Sequence, residues 1–465
     1  MPIGAVVSDR IDAVITSCRS VAGENSTRSN AIANYLRLGT ISAGQYRQIA
    51  DMAVNIAGQI DAYPDRSIGD LCGFTLQGQN TFPVASNIPY LALVFMVRAL
   101  EKTDCHVHIS DNLTKEEVFE HFGYTLEKPV GDDDYIRNAE DLSYVARETC
   151  FRFLLDGVTN FNLRFNPAKL LGANDDTDPV LRMERNVGAV TNGANAAIEM
   201  YRKLPGFAID PKIGLLFSFN RTRFDRYYDD EEEAVPIAVP MAAIDIRRNS
   251  DFPLRGIDVS GKERGLVKSD MHEVSDTWGP VFEAYRKGDL RIASHLGDFR
   301  NARHYFEDQE ITDLGKMLEG YLNFVEAYLK IMKPGDGLGH AYIFNPEFLI
   351  SPLWDKKYYT PLSLSDSQYG KYAARIEAMI ETYDVKRFVI EHCPSASVRD
   401  FQTVQAYSAL PLNYWIKCGF NVRIGSDAGI FSYNGPRNLS EDVARVMLST
   451  KYSARQILSL VGVNI

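Results

Sequence analysis

After about residue 101 the chain repeats one pattern: a short apolar run, a loop, then a stretch with apolar residues at helical spacing. The runs fall at 103–109, 161–165, 213–219, 255–259, 290–295, 337–341, 387–391 and 421–426. Helical patterns intervene, for example from Asp141 to Leu155 and from Thr191 to Lys203. Strands alternating with helices cannot pair by tight hairpins, so they form a parallel sheet covered by its own crossovers. Eight such units over about 360 residues predict a (β/α)8 TIM barrel with insertions. Barrels of this kind carry their chemistry at the C-terminal ends of the strands.

Residues 1–100 precede this pattern and are expected to form an N-terminal helical extension to a barrel spanning 101–465. Arg10 to Val21 and Ser42 to Ile60 have helical periodicity, with Ser42 as an N-cap. Residues 64–90 are rich in Pro, Gly, Ser and Asn, as in an extended loop, and Ile88 to Leu100 reads as a buried helix. Two roles for the extension stay open: an arm or lid that could join subunits into a homo-oligomer, or a cap completing the core.

Composition removes several alternatives. A net charge of −11 disfavours a nucleic-acid backbone as partner, which demands clustered Lys and Arg. A small-molecule substrate remains the expected partner. No apolar stretch approaches the ~18 residues of a membrane span. The first ten residues lack the basic and apolar regions of a secretory signal. The six cysteines are scattered without a CxxC pair, which favours reduced thiols, a cytoplasmic setting and no thiolate metal site. Asp229-Asp230-Glu231-Glu232-Glu233 is expected to be a solvated helix start.

Candidate metal ligands lie where apolar runs end. In Cys105-His106-Val107-His108-Ile109 the two imidazoles are two residues apart, hence on one face of a strand. Ser294-His295-Leu296-Gly297-Asp298, Gly337-Leu338-Gly339-His340-Ala341 and Ile424-Gly425-Ser426-Asp427-Ala428-Gly429 each place His or Asp at a run's end. Four of the eight histidines occupy these ends.

The order HxH, HxGD, GHA, SDAG resembles the adenosine deaminase branch of the metal-dependent hydrolases. Weaker likenesses lie in Phe161-Asn162-Leu163-Arg164-Phe165-Asn166-Pro167, Gly256-Ile257-Asp258-Val259-Ser260-Gly261 and Ile390-Glu391-His392-Cys393-Pro394-Ser395. The resemblance spans about the last 365 residues. It implies a zinc-dependent hydrolytic deaminase with His106, His108, His295 and Asp427 as ligands of one Zn²⁺. It makes His340 the base and Asp298 the acid, and Gly261 a backbone contact to the base. Chemically, three imidazoles and a carboxylate suit zinc, which lowers the pKa of a water to about 7.

Three positions depart from the family. Asp298 stands where it has Glu, placing the carboxyl ~1.5 Å further back. Ser110, followed by Asp111, replaces a ribose-binding Asp, and Ala428 replaces a purine-binding Asp. His392 adds a polar group beside the site, either a substrate contact or a core histidine. The departures imply an altered substrate: a purine-like base, nucleoside or nucleotide other than plain adenosine. Two alternatives stay open: a metal-dependent amidohydrolase cutting a different C–N bond, and a binding or scaffold protein that keeps the metal site without turnover.

Overall fold

A computed structural model describes residues 1–23, 26–38, 41–73, 87–109, 112–126, 135–167, 179–205, 210–221, 253–261, 263–299, 311–351, 362–398, 404–427 and 438–463. Eight strands form one sheet in sequence order: β1 (Lys102–His108), β2 (Val158–Phe165), β3 (Lys212–Asn220), β4 (Leu254–Ser260), β5 (Arg291–Leu296), β6 (Gly337–His340), β7 (Val389–His392) and β8 (Asn421–Ile424). Every neighbouring pair is parallel. The ring closes through a parallel bridge between Val107 and Asp427. Asp427 N–H donates to the His106 carbonyl at 2.8 Å, and His108 N–H donates to the Asp427 carbonyl at 3.2 Å. The predicted (β/α)8 barrel is therefore what forms.

Strands β6 and β8 end short of the sequence expectation at their C-terminal ends, where the candidate site lies. β8 stops at Ile424, before Gly425-Ser426-Asp427, because Asp427 takes a left-handed backbone with φ 66°. β6 stops at His340, with φ 68°, and Ala341 follows at φ 54°. Extended pairing cannot continue through such residues. The helix read from Thr191 begins at Pro179. The region read as an extended loop contains a short helix, Ile68–Cys72, capped by the Ser67 side chain. The Asp229–Glu233 run lies outside the described residues.

The N-terminal helices Ile3–Ala22, Thr27–Tyr35 and Ala43–Ala62 precede the helix Ile88–Ala99. Ser42 forms a reciprocal capping box with Gln45, satisfying backbone donors that a helix start leaves open. Asn87 caps Ile88–Ala99, and every residue from Tyr90 to Ala99 is buried. Within that helix, Arg98 pairs with Asp156 at 3.1 Å. Apolar residues from Ile3 through Val107 to Val463 make one continuous core. No described helix is long and apolar enough to cross a membrane.

Candidate metal centre

Strand periodicity puts His106 and His108 on one face at the end of β1, and β5 brings His295 beside them. The three Nε2 atoms form a near-regular triangle, with sides of 3.2 Å (His106–His108), 3.0 Å (His106–His295) and 3.2 Å (His108–His295). Asp427 Oδ1 lies 3.5 Å from His106 Nε2 and 3.7 Å from His108 Nε2. Tetrahedral zinc with bonds of ~2.0–2.1 Å spaces its nitrogen ligands ~3.3 Å apart. The donor set therefore fits one such ion. Ligand atoms of His106, His295, His340 and Asp427 all lie within 4.8 Å of one another, so His340 borders the same point.

Three lone pairs aimed together repel unless a cation or a proton lies between them. Burial pushes the His106 imidazole well below its usual pKa, helped by the charge of Arg164, and pushes His108 down to about 4. Both are thus neutral at pH 7, the form that binds a metal.

Two carboxylates set the tautomers. His106 Nδ1 lies 2.9 Å from Glu391 Oε2, and His295 Nδ1 lies 3.1 Å from Asp258 Oδ1. An Nδ1–H donated to a carboxylate leaves Nε2 free to ligate and makes it more basic. Burial alone would raise the Asp258 carboxyl, yet His295 and Arg164 beside it hold it well below the ordinary range. Asp258 and Glu391 sit within runs already singled out, but sequence reading gave them no role. An acidic residue inside an apolar strand was the available signal, since such residues are buried only when paired.

Glycines let these groups approach. A Cβ on Gly339 would lie 3.1 Å from His106 Cε1 and 3.3 Å from His295 Cα. One on Gly425 would lie 2.8 Å from His106 Cβ. Asp104, also buried, accepts from the backbone N–H groups of His106 and Ser426, tying β1 to the Asp427 turn.

The remaining candidates distribute unevenly. Asp298 is buried in the turn after β5. Its backbone N–H and that of Gly297 both donate to Glu263 at 3.0 Å. Glu263 also accepts from Tyr321 at 2.6 Å, a brace the sequence reading missed. Gly261 follows β4 with φ 93°, a conformation that favours glycine. His392 is fully buried and packs edge-on against Trp415, with ring centroids 5.4 Å apart. Ser110, Asp111 and Ala428 lie outside the described residues.

No family model matches the sequence, and no curated protein matches it. Among solved structures the chain is similar to the N6-methyl-AMP deaminase from Arabidopsis thaliana, with 15% identity over 78% of this chain and 90% of that one, TM-score 0.45. It is similar to an adenine deaminase from Arthrobacter aurescens at 13% identity, over 78% of this chain and 97% of that chain, TM-score 0.40. A cog1816 amidohydrolase from Burkholderia ambifaria with bound Zn has 15% identity over 83% and 85%, TM-score 0.39.

Proposed function

We propose that the protein is a zinc-dependent hydrolytic deaminase acting on a purine-like base, nucleoside or nucleotide other than plain adenosine. The observation that carries this reading is the convergence of three Nε2 atoms and Asp427 Oδ1, with two imidazoles oriented by buried carboxylates. His106, His108, His295 and Asp427 would hold the ion. Bound there, it would supply Lewis acidity that makes water nucleophilic near neutral pH.

The chain's residues divide the proton work. In this reading His340, at the end of β6 and bordering the same point, takes the proton that water loses on attacking the ring carbon. Asp298, in this reading, protonates a ring nitrogen as the ring loses aromaticity. His340 then returns its proton to the exocyclic nitrogen, the C–N bond breaks as ammonia leaves, and the hydroxyl proton passes back to Asp298, so that a carbonyl remains on the ring. Gly261, with Ser110, Asp111, Ala428 and His392, is assigned to the substrate side of the site. The six free thiols support a reducing, cytoplasmic setting.

Asp298 in place of the longer Glu favours one second reading, an amidohydrolase that cuts a different C–N bond. A ~1 Å misplacement of an acid can cost 10²-fold in rate, so a reshaped substrate is the simpler account. Elemental analysis beside an ammonia-release screen over amino-purines, amino-pterins and pyrimidines separates the readings. About one zinc per chain with ammonia released from a ring amine is expected. Metal with turnover but no ammonia supports the second reading, and a protein that binds no metal refutes both. Losing two hydrogen bonds to charged groups, each worth ~1.5–3 kcal/mol, should leave adenosine a poor substrate. Asp298→Glu with Ala428→Asp should raise its turnover. Unaltered protein that deaminates adenosine at kcat/KM of ~10⁴–10⁸ M⁻¹s⁻¹ would sink the altered-substrate part alone.

A further inference from the structure

Glu391 and Asp258 come from strands β7 and β4, yet one side chain joins them. Arg164, on β2, is wholly buried. Its Nη2 donates to Glu391 Oε2 at 2.5 Å, and its Nη1 pairs with Asp258 Oδ1 at 3.0 Å. These are the same two oxygens that face His106 Nδ1 and His295 Nδ1. Nη2 also donates to the Cys105 carbonyl, 3.1 Å away in β1. One guanidinium thus touches three strands.

The other oxygen of each carboxylate is held separately. Glu391 Oε1 accepts from Arg291 at 2.6 Å, and Asp258 Oδ2 accepts from Ser218 Oγ at 3.0 Å. Neither outer partner spans both carboxylates, and the Arg291 side chain is 28% exposed where Arg164 is fully buried. Without Arg164, two buried carboxylates would lack their shared cation, a costly state in a low-dielectric interior.

We propose that Arg164 is the positioning residue for the metal ligands, gripping Glu391 and Asp258 with one guanidinium so that His106 and His295 present Nε2 to the same point. The inference rests on the metal-site reading above and deepens it. It requires the planar fork of arginine. Lysine keeps the charge, but its single ammonium does not reproduce one nitrogen donating to Glu391 and a second held 3.0 Å from Asp258 in the same rigid plane.

The test uses the full chain with zinc or cobalt alone, in chelator competition, and ¹⁵N-imidazole NMR of the metal-free protein. In the unaltered protein His106 and His295 are both expected as Nδ1–H tautomers. Arg164→Lys should weaken zinc binding 10–100-fold, the range for losing an outer partner of a ligand. It should also remove the Nδ1–H tautomer from at least one of the two histidines and shift the visible bands of the cobalt form. Arg291→Lys, which of the two carboxylates meets Glu391 and not Asp258, should weaken binding less. Equal effects of the two substitutions, or an unshifted cobalt spectrum in Arg164→Lys, overturn the proposal while the metal site stands. Nε2–H tautomers at either histidine in the unaltered protein overturn it even where Arg164→Lys does not fold. An unaltered protein that binds neither ion overturns the metal reading itself.

Discussion

His340 and Asp427 both hold left-handed backbone, with φ of 68° and 66°. For residues other than glycine this costs on the order of 1–3 kcal/mol, and it concentrates at functional sites. Both lie next to the same point, so their roles need separating. Asn tolerates this conformation well, which makes it the informative substitution. His340→Asn should keep the metal and lower turnover by ~10²–10⁴-fold, the usual worth of a general base. Asp427→Asn should lose metal by elemental analysis. If His340→Asn also empties the site, His340 is a ligand and not the base. The shared face of the two candidate-ligand histidines on β1 was legible because a spacing of two on a strand has only one geometric meaning. Arg164, Asp258 and Glu391 were not assigned, since their partners are residues 37 to 285 positions away that only the closed barrel brings together.

Among the elements, the N-terminal helices meet the barrel through an ion cluster as well as apolar packing. Glu441, on the helix Leu439–Ser449, accepts from Arg37 at 2.9 Å, Arg445 at 2.6 Å and Tyr90 at 3.1 Å. Burial would raise its carboxyl, but Arg445 and Arg37 hold it down at about 2. A depressed carboxylate stabilises the fold above its unfolded pKa and loses that contribution as pH falls. The window runs from about 4.5 down to about 2. Glu441→Gln should cost ~3 kcal/mol at pH 7 in urea unfolding, because it leaves buried arginine charge unpaired, and should flatten this acid limb. An unchanged acid limb would show that other carboxylates govern it. Removal of residues 1–85 should expose the packed face of the helix Ile88–Ala99 and lower solubility or change the mass in solution. A soluble, equally stable truncated monomer would refute that. Helix periodicity and the Ser42 cap made these elements readable. The Glu441 cluster was not, because i-to-j separations of 351 and 404 leave no local pattern.

For the molecule as a whole, a ligand bound only by the folded state stabilises it in proportion to occupancy, by ~4 kcal/mol at a thousandfold excess over Kd. Chelation should therefore lower the melting temperature, and zinc should restore it. A melting temperature indifferent to chelator would mean that the imidazole cluster is stable without a cation. The location of the site adds a constraint on how the protein is made. The barrel's seam runs through it: Asp427 pairs with β1, and Ser426 N–H donates to Asp104 across 322 residues of chain. His106, His108 and His295 are synthesised well before Asp427, the last of the proposed ligands. A nascent chain that stops short of residue 427 has neither a closed ring nor the complete proposed coordination set. If the proposed site binds zinc, loading follows synthesis of residue 427, and ribosome-bound chains arrested before it should retain no zinc while chains extended well past it do.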